Sequence, residues 1–216
     1  MPRLSAQTRA DRREHILTSA WMCFSRNGFH QSSMDDVISA SGMSSSAVYR
    51  YFRSKDEIID ATAEQGMTTV RDVFVEALQL EPLPSPRELV CALVDALHRR
   101  AGHARYDLTK LAIQTWAEAV RRPHLRRRAG DLYGESLRSI EAILRAWQAR
   151  GEMSGGVDVG SAAYVLSSLM HGLVVNHHLL RPVAAADVVD GLQALGLFVA
   201  DSPGEPERAR GTSRTV

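Results

Sequence analysis

The sequence predicts an all-α fold, and three observations carry that expectation. Apolar residues recur at spacings of three and four along nearly the whole chain, the period of amphipathic helices. Gly, Pro and Ser clusters punctuate those runs at helix length. No segment alternates with period two, and no Asn-Gly pair joins two strand-like runs. Of the 216 residues, 44% are apolar and 24% charged, the balance of a soluble globular chain rather than a disordered one. Twenty-six basic side chains oppose 25 acids, so net charge singles out no acidic partner. Cys23 and Cys91 are two distant thiols, too few for a disulfide scaffold, and a cytoplasmic location is the simpler expectation. Met1 to Glu14 is polar and Arg-rich, unlike a secretory signal. Val157 to Leu180 is the most apolar stretch. Ser167, His171, Asn176 and His177 interrupt it, so it is expected to fall short of a membrane span.

About nine helices follow in order from this punctuation. Ile16, Leu17, Ala20, Trp21 and Phe24 give the first, over about 6–26, and Asn27-Gly28 stops it. Ser33-Met34-Asp35-Asp36 has the form of a capping box and opens the second, which buries Val37 and Ile38 and breaks at Gly42. Ser44 starts a short third helix with Ala47, Val48 and Phe52 for packing. Ser54 caps the fourth, with Asp56 and Glu57 in the first turn where the helix dipole favours acids. Its apolar positions run to Leu78, before the Pro82, Pro84, Pro86 cluster. Further helices are predicted near 87–101, 106–121, 124–150, 158–179 and 186–200. Residues 202–216 read as a disordered tail.

Residues 33–52, SMDDVISASGMSSSAVYRYF, carry the functional signal. Two short helices joined through Ser41-Gly42-Met43 form a helix-turn-helix. The outer face of the second offers Ser45, Ser46, Tyr49, Arg50 and Arg53. Arg can pair with guanine in the major groove, and Ser and Tyr can serve bases or phosphates. Eight basic residues face four acids over residues 1–55, but the surplus shrinks to one by residue 60. Charge is thus weak support.

The run GFHQSSMDDVISASGMSSSAVYRYFRSKDEII closely resembles the DNA-binding domain of TetR-family transcriptional regulators. The matching features are Gly28-Phe29, Ser32-Ser33, Val37-Ile38, Ala40-x-Gly42, Ser44, Val48-Tyr49, Tyr51-Phe52 and Ser54-Lys55. The resemblance implies a recognition helix at 44–50, with Ser44 at its start and Ser45, Ser46, Ala47, Tyr49 and Arg50 facing the major groove of double-stranded DNA. It also implies that Ser33, Tyr51 and Lys55 hold phosphates. Unpaired N–H groups at helix N-termini suit that role. Many members carry Lys-Gly where this chain has Ser45-Ser46, and Arg50, Arg53 and the arm residues Arg3 and Arg9 are candidates to compensate.

Beyond residue 66 the resemblance is loose and rests on pattern, as suits a ligand-responsive regulatory domain. The implied division is a DNA-binding domain at 1–55, a helical ligand-binding and dimerisation domain at 56–201, and the tail. Gln114 and Trp116 on a central helix, with Met67, Phe74, Tyr133 and His171 from other helices, are candidate walls for a small, largely apolar effector. For Trp116, plain core packing is the competing reading. The last two predicted helices are apolar on more than one face, which points to a homodimer interface through Leu169, Leu173, Leu192 and Leu195. His171 and His178 share a face seven residues apart, but no carboxylate-rich or Cys motif accompanies them. Hydrogen-bonded histidines are expected there rather than a metal, and no cofactor is expected. The Arg121 to Arg128 cluster reads as a solvated helix start. No nucleophile elbow, phosphate loop, His-Glu-x-x-His helix or Cys-x-x-Cys pair is present, so an enzyme is not expected. The expected function is a dimeric repressor released from a palindromic operator by an effector. The alternative is a helical DNA-binding protein that takes no small ligand.

Overall fold

The computed structural model describes residues 5–197, apart from the side chains of residues 68–74. Within them the chain forms nine helices: α1 (Ala6–Gln31), α2 (Met34–Ser41), α3 (Ser45–Tyr49), α4 (Lys55–Leu78), α5 (Pro86–Ala101), α6 (Leu108–Arg121), α7 (Pro123–Arg150), α8 (Val159–Leu179) and α9 (Ala185–Ala194). No strand occurs among the described residues. Most boundaries fall within a residue or two of the predicted ones because side-chain caps set them. Ser5, Ser33, Ser44, Ser54, Ser85, Asp107 and Asp158 each accept a hydrogen bond from a backbone N–H one turn into the helix they precede. The predicted disordered tail, the arm residue Arg3 and the side chain of Phe74 lie outside the described residues.

Helices α1 to α3 and the start of α4 enclose Ile16, Leu17, Ala20, Phe24, Phe29, Val37, Val48, Phe52, Ile58 and Ile59. Leu111 of α6 completes this cluster, so the first three helices share a core with the rest of the chain. A larger cluster joins α5, α7, α8 and α9 around Trp147, which is 1% exposed and donates its indole N–H to Pro84 O at 2.9 Å. A third links Ala63 and Met67 of α4 to Ala119, Leu125, Ala129 and Leu132.

Three expectations need correction. α9 ends at Ala194 rather than near 200, because Gly196 and Leu197 turn their N–H groups back to Gln193 O and Leu192 O. The Arg121 to Arg128 segment is not merely solvated: Asp56, Asp60 and Glu64 form a stripe on α4 that meets it. Arg122 reaches Asp56 at 2.7 Å and Asp60 at 3.5 Å, His124 reaches Asp60 at 3.1 Å, and Arg128 reaches Glu64 at 2.8 Å. The spacing of four puts the acids on one face, a pattern visible only once α7 lies along it. Finally, α8 is long and apolar enough to cross a membrane by length and composition. Its polar residues are too few to lower the average, and little of it is buried within the protomer.

Candidate nucleic-acid interface and internal cavity

The helix-turn-helix is held by its own sequence. Ser33 and Asp36 close a reciprocal capping box: Asp36 N–H donates to Ser33 Oγ at 3.1 Å, and Ser33 N–H donates to Asp36 Oδ2 at 2.8 Å. These bonds from Ser33 hold the Asp36 carboxyl below the usual range. Gly42 then adopts φ 63° to turn the chain toward α3, a conformation that a Cβ disfavours. His15 Nε2 lies 2.8 Å from Ser41 O, tying the end of α2 to α1. Val48 and Phe52 point inward, and Arg13 lies 4.9 Å over the Phe52 ring.

What remains outward is the predicted face. Ser44, Ser45, Ser46, Tyr49 and Arg50 are all exposed, and Ala47 is half-buried beside them. The predicted phosphate contacts fare differently. The Ser33 hydroxyl is committed to its capping box, donating to Asp36 Oδ2 at 2.8 Å. The Tyr51 ring packs against the N-terminal core with its hydroxyl buried and without a hydrogen-bond partner among the described residues. Lys55 donates to His30 O at 3.1 Å and Ser32 O at 2.9 Å, tying α4 to the end of α1. An ammonium has three donors, so one is left for a phosphate.

A cavity of about 340 Å³ lies between the helix-turn-helix support and the rest of the chain. Trp21 and Glu14 line it from α1, Thr62, Gln65 and Gly66 from α4, and Leu93, Leu97 and Arg100 from α5. Leu111, Thr115 and Trp116 line it from α6, and Met170 and Val174 from α8. Of the five predicted wall residues whose side chains are described, Trp116 alone lines it. Met67 is buried in the α4–α7 cluster instead. The Trp116 indole N–H donates to Tyr133 Oη at 2.5 Å, and both rings abut His171, whose Nδ1 bonds to Ser167 O at 2.7 Å. Tyr133 and His171 therefore brace the back of Trp116. Burial pushes the Tyr133 hydroxyl pKa up, partly offset by the Trp116 hydrogen bond.

Gln114 does something the sequence did not suggest. Its Oε1 accepts from Phe29 N–H at 2.7 Å and its Nε2 donates to Phe24 O at 3.1 Å. These bonds straddle Gly28, where φ of 83° interrupts α1; a side chain there would adopt a conformation L-residues disfavour and sit against Gln114. One turn on, Glu118 is 3% exposed and takes Arg121 and Arg122 at 2.7 Å each and His30 at 3.1 Å. Burial raises its pKa, but hydrogen bonds from Arg121 and Arg122 outweigh this and hold it below the usual range. So α6 presents Thr115 and Trp116 to the cavity and Gln114 and Glu118 to the end of α1.

Of the predicted interface residues, Leu173 and Leu192 are each 5% exposed and belong to the protomer's own core, and Leu169 packs partly against that core. Leu195 is 78% exposed. The exposed apolar side chains of α8 and its end are Tyr164, Val165, Leu179 and Leu180. Among the described residues, no three His, Cys, Asp or Glu side chains are grouped to hold a metal. His178 instead bonds Thr109 Oγ1 at 2.7 Å, and Thr109 bonds Asp107.

Residues 16–62 match the model of bacterial regulatory proteins of the tetR family. Residues 86–201 match that of the BetI-type transcriptional repressor C-terminal region. The chain belongs to the TetR family. As a TetR-family member it is a helix-turn-helix transcriptional regulator, and its relatives are regulators rather than enzymes. The HTH-type transcriptional regulator UidR of Escherichia coli is 25% identical over 85% of this chain and 90% of its own. The HTH-type transcriptional repressor NicS of Pseudomonas putida is 27% identical over 84% of each. Salmonella enterica GusR superposes with a TM-score of 0.66 at 26% identity, covering 86% of this chain and 95% of its own. A putative regulator from Saccharomonospora viridis, in complex with choline, shares the fold with a TM-score of 0.72 at 22% identity, over 88% and 100% of the two chains.

Proposed function

We propose that this TetR-family chain is a repressor that binds a palindromic operator as a homodimer and is released by a small, largely apolar effector in the α1–α4–α5–α6–α8 cavity. Cytoplasmic location follows from that role. The observation that carries the reading is that Trp21 and Glu14 of α1 line the cavity while the same helix supports α2 and α3. An occupant that displaces α1 or α6 moves the reading face without touching it. The Gln114 hydrogen bonds and the Lys55 tie are the connections that carry such a shift.

Recognition falls to Ser45, Ser46, Tyr49 and Arg50, with Ser44 and Ala47 beside them and one Lys55 donor on a phosphate. A two-turn helix reads only a few base pairs, so useful specificity needs two half-sites and two protomers. The unburied apolar face of α8 and Leu195 supplies the second copy's seat and accounts for the membrane-like composition of α8 without a membrane. Residues 1–55 then form the DNA-binding unit and 56–201 the ligand-binding and dimerisation unit, with the long α4 issuing from their boundary. NicS carries the name of a repressor, and the Saccharomonospora regulator holds a small molecule in the same fold, which favours this reading over an effector-free DNA-binding protein.

The test uses operator DNA selected from random duplexes. Apolar compounds are screened for release of that DNA, and each hit is titrated into protein in which Trp21 and Trp147 are replaced by Phe. A releasing compound is expected to change Trp116 emission, and saturating operator is expected to weaken its binding by the factor it weakens operator binding. Release with no Trp116 response moves the effector site elsewhere.

A further inference from the structure

Among the described residues, Glu14 and Arg100 are the charged groups that line the cavity, and they differ in setting. Glu14 is an exposed residue of α1, so water screens its charge. Arg100, in the last turn of α5, is half-buried. Its Nη1 donates to Ala96 O at 3.3 Å, one turn back in its own helix. No carboxylate among the described residues lies within ion-pair distance of it. Glu76 influences its charge from further away, whereas burial first and Arg99 second disfavour that charge.

A guanidinium partly removed from water loses hydration that only an anion or several acceptors restore. Two hydroxyls on the same walls are already engaged: Thr62 Oγ1 donates to Ile58 O and accepts from Trp21, and Thr109 Oγ1 bonds Asp107 and His178. Apart from Gln65 and Thr115, the remaining described walls are leucines, Ala96, Ala112, Gly66, Met170, Val174 and two indoles.

We infer that the cavity takes a monocarboxylate with an apolar body, whose carboxylate pairs with Arg100 while the Leu93, Leu97, Leu111 and Trp116 walls bury the rest. Arg suits this task because its fork of donors matches both carboxylate oxygens. About 340 Å³ lies near the small end of ligand pockets, so the body is a medium-length alkyl chain or a small ring system. This inference rests on the cavity being the effector site and adds the chemical class of its occupant.

Calorimetry on the full chain with octanoate, octanamide and octylammonium tests it. These probes share a tail and differ in head charge. Octanoate is expected to bind at least about tenfold tighter than octanamide, the usual worth of a hydrogen-bonded charge, and octylammonium weakest. Arg100→Met is expected to bring octanoate down to octanamide while leaving octanamide unchanged, and Arg100→Lys to keep part of the preference. Equal binding of octanoate and octanamide by the unsubstituted chain overturns the inference, as does absence of octanoate binding. A preference that survives in Arg100→Met overturns it too, and tighter octylammonium binding shifts the anchor to Glu14. Operator release is measured separately: carboxylate binding without release keeps the ligand class and removes the regulatory reading, and release by neutral compounds alone does the reverse.

Discussion

The reading face and the cavity are built on opposite plans. Residues 33–50 are fixed by local devices, a capping box, a left-handed Gly42 and a Ser44 cap, and their functional side chains point into solvent. The cavity depends mainly on packing between distant segments. Five helices each lend it a few side chains, and its walls continue into the packed core. Changes on the outer face of α3 should therefore alter binding and spare stability, whereas changes behind the cavity should alter both. That contrast can be broken or sharpened by substitution.

The largest effect is expected behind the cavity. Leu173→Arg places a charge in the α5–α7–α8–α9 core and should cost more than about 4 kcal/mol, leaving no folded chain in a denaturation experiment. Val165→Arg and Leu195→Arg, on the exposed face, should change protomer stability by less than about 0.5 kcal/mol. They should yield a folded 23.8 kDa monomer by sedimentation; a persistent dimer in both would move the interface to another face.

Next comes Arg50→Ala, expected to cost about 1–3 kcal/mol of operator binding and to relax preference at one base pair, with no change in unfolding midpoint. Gln114→Ala removes the acceptor of the Phe29 N–H and should destabilise the fold by about 1–2 kcal/mol. It should also blunt the response of operator binding to cavity ligands, because α6 loses its hold on α1. An unaltered response would make the Gln114 bonds packing alone.

A smaller effect is expected from pH. Burial, then His178 and His98, hold the His177 pKa below its ordinary value, with Asp107 opposing. Neutral His177 thus contributes stability that is complete above the free value of about 6.5, and that is lost as pH falls through the lower folded-state value. The unfolding midpoint should drop between pH 7.5 and 5.5, and drop less in His177→Leu. Smallest of all is Tyr51→Phe: the hydroxyl is buried without a partner, so operator affinity should stay within about twofold and stability should not fall.

Legibility in the sequence follows the same division. Ser33, Asp36, Gly42, Ser44 and Ser54 act within four residues of themselves, so helix starts and the outer face of α3 could be read directly. Gln114 and Arg100 could not. Gln114 works through Phe24 and Phe29, some 85–90 residues away, and Arg100 stands out because no carboxylate among the described residues pairs with it. The acid stripe on α4 was readable as a four-residue spacing, but its meaning waited on the position of α7. Leu173 and Leu192 are buried in the protomer's own core, which the sequence did not show because a helix apolar on two faces does not say which face the protomer keeps. For Tyr51 and Ser33 the sequence match left their setting unread: one hydroxyl is buried and the other is used in a cap.

The most direct measurement is selection of DNA from random duplexes by the full chain, followed by anisotropy titration of the recovered sequence with unsubstituted protein and Arg50→Ala. The expected result is a palindrome with half-sites about one helical turn apart or a multiple of it, bound roughly ten- to a hundredfold more weakly by a fully folded Arg50→Ala. Recovery of no dyad sequence, or equal affinity and base preference in the two proteins, would contradict recognition through the outer face of α3.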